Sequence, residues 1–267
     1  MANVCIVRHQ GYIKSKVRLP YQHNFRTLKN YRNKNIDSSL THLNTCIANN
    51  LKKGETYLSA FNRLRDNGAL QGQLRVQGAK EKQTKFLDDF IVYPPYEKIA
   101  KMSFEEQEAL FKKELVAIQK YFPDMIILSA NVHRDEEFHP KDEEMKALFP
   151  EGKVTPHMHV IAIPIVHDKK IDYKKISITE LWKGKFSYRK FQDYMYDAVG
   201  KEYGFDRGEL HDYDEVQKHL EVEAFKLKEA MKSLNKLEAE IKMKEQSIVE
   251  RAKKSSLYEK DYSKPIK

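Results

Sequence analysis

TPHMHVIAIPIV, residues 155–166, is an apolar run that opens with two histidines one position apart. Side chains of a strand alternate between faces, so His157 and His159 project from one side of the sheet and Met158 from the other, towards the core. Working outward, DMIILSANVHRDE (124–136) has the same apolar character and carries His133 where the run ends. If the two runs pair as an antiparallel hairpin, His133 faces the histidine pair across the ladder. Three imidazoles on adjacent strands make a ligand set for a first-row divalent metal with positions left open for substrate. Asp135 and Glu136 follow at once, able to orient a ligand or act as a base.

Between these runs, FHPKDEEMKALFPEGKV (138–154) is polar and bracketed by Pro140 and Pro150, an excursion at the hairpin tip. Earlier, ETYLSAFNRLRDNG reads as a helix ending at Gly68, TKFLDDFIVYPP as a strand stopped by Pro94 and Pro95, and MSFEEQEALFKKELVAIQKYFP as a helix with its acids early. SYRKFQDYMYDAVGKEYGF is a further amphipathic helix. The pattern predicts a mixed α+β fold, helices packed on one antiparallel sheet. From about Asp214, Leu220, Leu227, Leu234, Ile241 and Ile248 recur every seven residues among Lys and Glu, one seam of a coiled coil that would support a homodimer or dock as a single helix. The last residues, 254–267, read as a disordered tail.

The chain has 267 residues, 33% of them charged, and a net charge of +9. Residues 1–85 hold 16 Lys and Arg against four acids, so the basic surplus belongs to the N-terminal third. Such a surplus, interleaved with Tyr12, Tyr21, Phe25, Tyr31, Tyr57 and Phe61, suits a surface that tracks phosphates and stacks bases. Two cysteines without a CxxC spacing support neither a disulfide framework nor a cysteine zinc site. No apolar stretch reaches membrane-spanning length and the first residues lack a signal-peptide core, so a cytoplasmic location is expected.

Within the basic third, QHNFRTLKNYRNKNIDSSLTHLN crowds His23, Arg26, Arg32, Asn33, Asn35, His42 and Asn44 together, donors suited to a phosphodiester. The longer stretch that contains it, KVRLPYQHNFRTLKNYRNKNIDSSLTHLN (16–44), is poor in helical periodicity and is expected to be a long functional loop. The isolated His9, His139, His167, His211 and His219 read as structural.

HNFR, SSLTHLN, HRDE and TPHMH, in that order, resemble the motifs of the MobV-type (Mob/Pre) plasmid mobilisation and recombination relaxases, and KEYGFDRGE is similar to a later family segment. The resemblance covers residues 1 to about 212 and places the chain in the class with a histidine, hydrophobic, histidine motif. It implies a relaxase domain over 1–212 with a central antiparallel sheet, followed by a coiled-coil-like helix over 213–253. It implies a divalent metal, Mn2+ or Mg2+, held by His133, His157 and His159, and plasmid origin-of-transfer DNA, single-stranded or hairpin, as partner. One strand would be nicked and rejoined through a 5′ phosphate joined to His23, with Glu136 as base and Arg26 clamping phosphate. Arg26, Arg32, Asn33, His42 and Asn44 are the expected DNA contacts, with Phe25 stacking on a base. Alternatives are a non-catalytic DNA-binding or replication-accessory protein, and a transposase or replication initiator whose nucleophile is Tyr194 or Tyr196. The family motif runs from HxDE to TPHxH almost without a gap, so the 17 residues 138–154 put the position of Glu136 in question.

Overall fold

A computed structural model describes residues 5–31, 33, 35–70, 84–138, 153–168, 173–184, 186–208, 231, 234–235 and 237–247. The central sheet has five strands: β1 (Ile6–Ile13), β2 (Thr45–Asn49), β3 (Lys85–Tyr93), β4 (Ile126–His133) and, after two short strands β5 (Glu137–Phe138) and β6 (Lys153–Val154), β7 (His157–Ile163). Their order is β1-β3-β7-β4-β2 and every pairing is antiparallel. β7, which carries His157 and His159, is central, and all seven of its residues are buried. A two-stranded ribbon, β8 (Ile165–Asp168) and β9 (Tyr173–Ile176), follows it.

Register decides which residues share a face. His133 lies opposite His157, and Asn131 opposite His159. The histidine face is covered by α1 (Arg18–Asn24) and α2 (Tyr57–Asp66) over a core that includes Tyr57, Phe61, Leu87, Ile161 and Ile163. The other face carries Met158, Val160 and Ala162, as the alternation predicts. It packs against α4 (Phe104–Tyr121), which follows the short α3 (Tyr96–Ile99), and against α6 (Ser187–Met195), which follows the short α5 (Ile178–Leu181). Helices therefore cover both faces of the sheet.

Local chemistry accounts for the helix limits. Thr56 with Ser59, and Ser103 with Glu106, form reciprocal capping boxes at the starts of α2 and α4. Gly68, at φ +77°, takes the left-handed conformation just beyond α2. The region 18–44 departs from the expected loop. Residues 18–24 form α1, Thr41–Leu43 form a 3-10 turn, and Thr45–Asn49 pair with β4 as the edge strand β2. Pro20 falls in the first turn of α1, where its missing N–H costs nothing. Seven residues are too few for a period to show.

Glu114 lies on the buried face of α4, where it accepts a hydrogen bond from the Cys5 thiol at 3.2 Å. Its second oxygen has no partner. Burial pushes this carboxyl up to about 8. A folded-state value above the unfolded one means that stability is complete below the unfolded value of 4.5 and is lost as pH rises through about 8. The expected result for Glu114→Gln is near-equality with the wild type in urea unfolding at pH 5. At pH 9 the variant should be more stable by on the order of 4 kcal/mol. Parallel pH profiles for the two proteins would refute this.

The chain divides into two compact units, one of residues 1–138 and 152–210, the other of 139–151 and 211–267. In the second, residues 237–247 are helical, with Leu237 and Ile241 43% and 49% exposed. Of the expected heptad seam, Leu234 and Ile241 fall in described helical positions, whereas Leu220, Leu227 and Ile248 lie outside the described residues.

Candidate active site

HNFR is the C-terminal end of α1. Thr27 N–H donates to Gln22 O at 3.2 Å and Arg26 N–H to His23 O at 3.4 Å, the paired bonds that close a helix with a left-handed residue. That residue is Arg26, at φ +49°, the one non-glycine with positive φ among the described residues. Glycine ordinarily takes this place, and a side chain there costs on the order of 1 kcal/mol. The side chain explains its presence. Arg26 donates to Asp135 from Nε (2.9 Å) and Nη2 (2.6 Å), to Glu136 Oε1 from Nη2 (2.8 Å), and to His23 O from Nη1 (2.6 Å). Thr41 donates to Asp135 at 2.9 Å, so SSLTHLN and HRDE are tied together at the same carboxylate.

His23 is thereby held among the other three histidines. Its ring centroid is 4.7 Å from that of His133 and 4.9 Å from that of His159. One nitrogen from each of His23, His133, His157 and His159 lies within 4.8 Å of the others. Arg26 Nη1 is 3.1 Å from His23 Nδ1; a guanidinium only donates, so Nδ1 accepts and the ring proton sits on Nε2. Glu136 Oε1 is 3.2 Å from that Nε2. The adjoining residue Asn24 anchors the helix end, donating to the Tyr57 hydroxyl (3.0 Å), which meets Ser129 Oγ of β4 at 2.7 Å.

The donor set fits a cation. His157 Nδ1 meets Thr155 O at 2.9 Å, leaving Nε2 buried and without a partner. His133 Nε2 meets Asn24 O at 3.4 Å, leaving Nδ1 in the same condition. Two buried imidazole nitrogens without partners, facing one space, suit a metal better than they suit a satisfied core. His159 Nδ1 lies 3.1 and 3.0 Å from the two oxygens of Asp89, and Tyr93 stacks on His157 at 4.9 Å.

Burial dominates the electrostatics. It lowers His23 and His159 to about 3 and His133 well below the ordinary value, with the neighbouring histidines adding to the effect, so these rings are neutral near pH 7. Burial pushes Glu136 up, but contact with His133, His157 and His23 outweighs it and holds the carboxyl well below the ordinary range. Burial pushes Asp89 up to about 8, while His23 and His157 pull it down.

The insertion does not displace Glu136: β5 and β6 pair with Glu137 opposite Val154, and Thr155 N–H donates to Glu136 O at 3.2 Å. Asn33 Nδ2 donates to Glu136 Oε2 at 3.1 Å. Asn44 Oδ1 accepts from Arg134 N–H at 2.7 Å, joining two loops. His42 is exposed and bonded to Ser39 O, some way along the turn. Arg32 lies outside the described residues. Phe25 is partly buried and packs against Tyr21 and Tyr57 at 5.0 and 6.0 Å, beside the core. Tyr194 packs on Tyr121 at 5.0 Å, across the sheet from the histidines. Sequence reasoning missed Asn24, Thr41, Asp89 and Tyr93; only the acidic pair inside LDDF gave a signal.

An antiparallel sheet with a buried histidine cluster on one face, approached by a helix end bearing a fourth histidine, defines a class of α+β protein whose cluster could hold a metal ion. The chain belongs to the Mob_Pre family, described as plasmid recombination enzyme, whose sequence profile matches residues 1–227. A plasmid recombination enzyme of Bacillus thuringiensis is 26% identical over 231 residues, which cover 86% of this chain and 44% of that protein. The chain thus spans less than half the length of this curated relative. The fold is that of the MobM relaxase domain (MOBV). Its Mn-bound crystal structure with 22 nucleotides of plasmid pMV158 oriT DNA at pH 5.5 superposes with a TM-score of 0.59 at 19% identity, over 84% of this chain and 98% of that one. A second Mn-bound structure, with a 3′ thiophosphate at pH 6.8, gives 0.60 at 18% identity, over 84% and 97%.

Proposed function

We propose that this chain is a relaxase domain that nicks and rejoins one DNA strand at a plasmid transfer origin, with His23 as the nucleophile. The observation that carries the reading is the Glu136 carboxylate 3.2 Å from Nε2 of a neutral His23, beside three further histidines. The related domains with bound Mn and oriT DNA, and the curated plasmid recombination enzyme, support the substrate class.

His133, His157 and His159 would hold Mn2+ or Mg2+, which supplies charge neutralisation at the non-bridging oxygens of the scissile phosphate. The phosphate competes for the Arg26 guanidinium and so frees the His23 lone pair. That lone pair forms a bond to phosphorus while the bond from phosphorus to the 3′ oxygen breaks. The departing oxygen keeps the electron pair and takes a proton from water, giving a 3′ hydroxyl. The Nε2 proton of His23 passes to Glu136, leaving an uncharged imidazole on the 5′ phosphate. Attack by a 3′ hydroxyl reverses each step and rejoins the strand. Asn33, Arg32 and His42 would contact the DNA, and such a protein works in the cytoplasm.

Peptide mass mapping of the protein incubated with an origin-containing single strand and Mn2+ tests the reading. The expected adduct is on the peptide that carries His23. An adduct on Tyr21, Tyr31, Tyr194 or Tyr196 would overturn the nucleophile, and tight binding with no adduct would favour a non-catalytic DNA-binding protein.

A further inference from the structure

β3 places two acids side by side in a strand paired on both sides, and both are buried: Asp88 at 0% and Asp89 at 1% exposure. A buried carboxylate is costly unless its oxygens are satisfied. Consecutive strand residues face opposite ways, so the two acids serve opposite sides of the sheet. Asp88 accepts from Trp182 Nε1 at 3.1 Å and meets His9 Nδ1 at 3.2 Å, on the side of α5 and α6. Asp89 faces the histidines, and both of its oxygens converge on His159 Nδ1 at 3.1 and 3.0 Å.

Each histidine of the trio has a backer on the nitrogen turned away from the cluster. For His157 it is the Thr155 carbonyl, for His133 the Asn24 carbonyl, and for His159 the Asp89 side chain. Of the three, only Asp89 is a side-chain carboxyl group, and both of its oxygens reach the ring nitrogen. A carboxylate behind an imidazole fixes the tautomer, locks the ring and makes the far nitrogen a stronger ligand. We propose that Asp89 is a positioning residue that turns Nε2 of His159 into the cluster and sets the strength with which His133, His157 and His159 take a divalent cation. The proposal rests on the reading of that trio as metal ligands given above.

The test uses the full chain and Mn2+ alone, without DNA, by titration calorimetry. Asp89→Asn should lose about 10- to 100-fold in Mn2+ affinity, and Asp88→Asn, which lies across the sheet, should change it by less than about threefold. Equal affinity in wild type and Asp89→Asn would overturn the proposal and leave the trio standing. A wild type that takes no Mn2+ would overturn both. Because Asp89→Asn could fail to fold, a second measurement needs no variant: histidine ring ¹⁵N spectra of the wild type with diamagnetic Zn2+. The expected spectrum has the His159 Nδ1 proton retained and shifted downfield by a carboxylate, with Nε2 bound. Ligation through Nδ1 would overturn the proposal.

Discussion

Replacing His23 by alanine is expected to reduce covalent adduct with origin-containing single-stranded DNA below detection, a loss of about 10⁴-fold or more. The side chain is 28% exposed at the end of α1 and belongs to neither core, so its removal should leave the sheet and both cores in place. Mn2+ binding and the folded spectrum should therefore survive. Tyr21→Phe and Tyr31→Phe are the controls. Tyr21 packs edge-on against Tyr57, a contact phenylalanine keeps, and Tyr31→Phe loses only the hydroxyl bonds to Leu28 N–H and Gln22 O while keeping its ring 5.7 Å from the Arg26 guanidinium. Gel analysis of the adduct with a labelled oligonucleotide reads all three proteins. An adduct undiminished in His23→Ala would sink the assignment.

Glu136→Gln is expected to slow adduct formation about 10²- to 10⁴-fold, the usual worth of a positioned proton acceptor. Glutamine keeps the shape, and its single oxygen accepts from Arg26 or from Asn33 but not from both, and it cannot take the proton from Nε2. Arg26 remains held by its two bonds to Asp135, so the helix end should not move. Mn2+ affinity should stay within about tenfold of wild type, since the proposed ligands are the histidines and Glu136 Oε1 stands 3.5 Å from His133 Nδ1 and 3.9 Å from His157 Nε2. If Mn2+ binding and cleavage fell together, Glu136 would be a ligand and the role given it here would fail. Single-turnover rates beside calorimetry separate the two outcomes.

Much of the site could be read from local pattern. A period of two places His157 and His159 on one face, and two matched apolar runs put His133 opposite them, as the register bears out. The helix α4 was legible from Ser103 and Glu106 at capping spacing and from the 3.6 period behind them. α1 was not legible, because it is short and its terminal signal is an arginine where glycine is expected. β2 was hidden for a related reason: five residues at a sheet edge, half-exposed, carry little alternation. LDDF reads as an anomaly in a strand, yet nothing local tells which histidine stands behind Asp89.

Sequence by itself determined which residues could ligate, attack and take a proton, because strand and motif spacing fix side-chain direction over a few positions. Only the tertiary structure decided that they meet. Arg26 reaches Asp135 across 109 positions and Asn33 reaches Glu136 across 103, contacts made by the packing of α1 and its following loop on the end of β4. It also decided that Glu136 keeps its place despite the insertion, since Glu137 pairs with Val154 and Phe138 with Lys153. Charge complementarity between distant segments, which closes this site, has no signature in local periodicity.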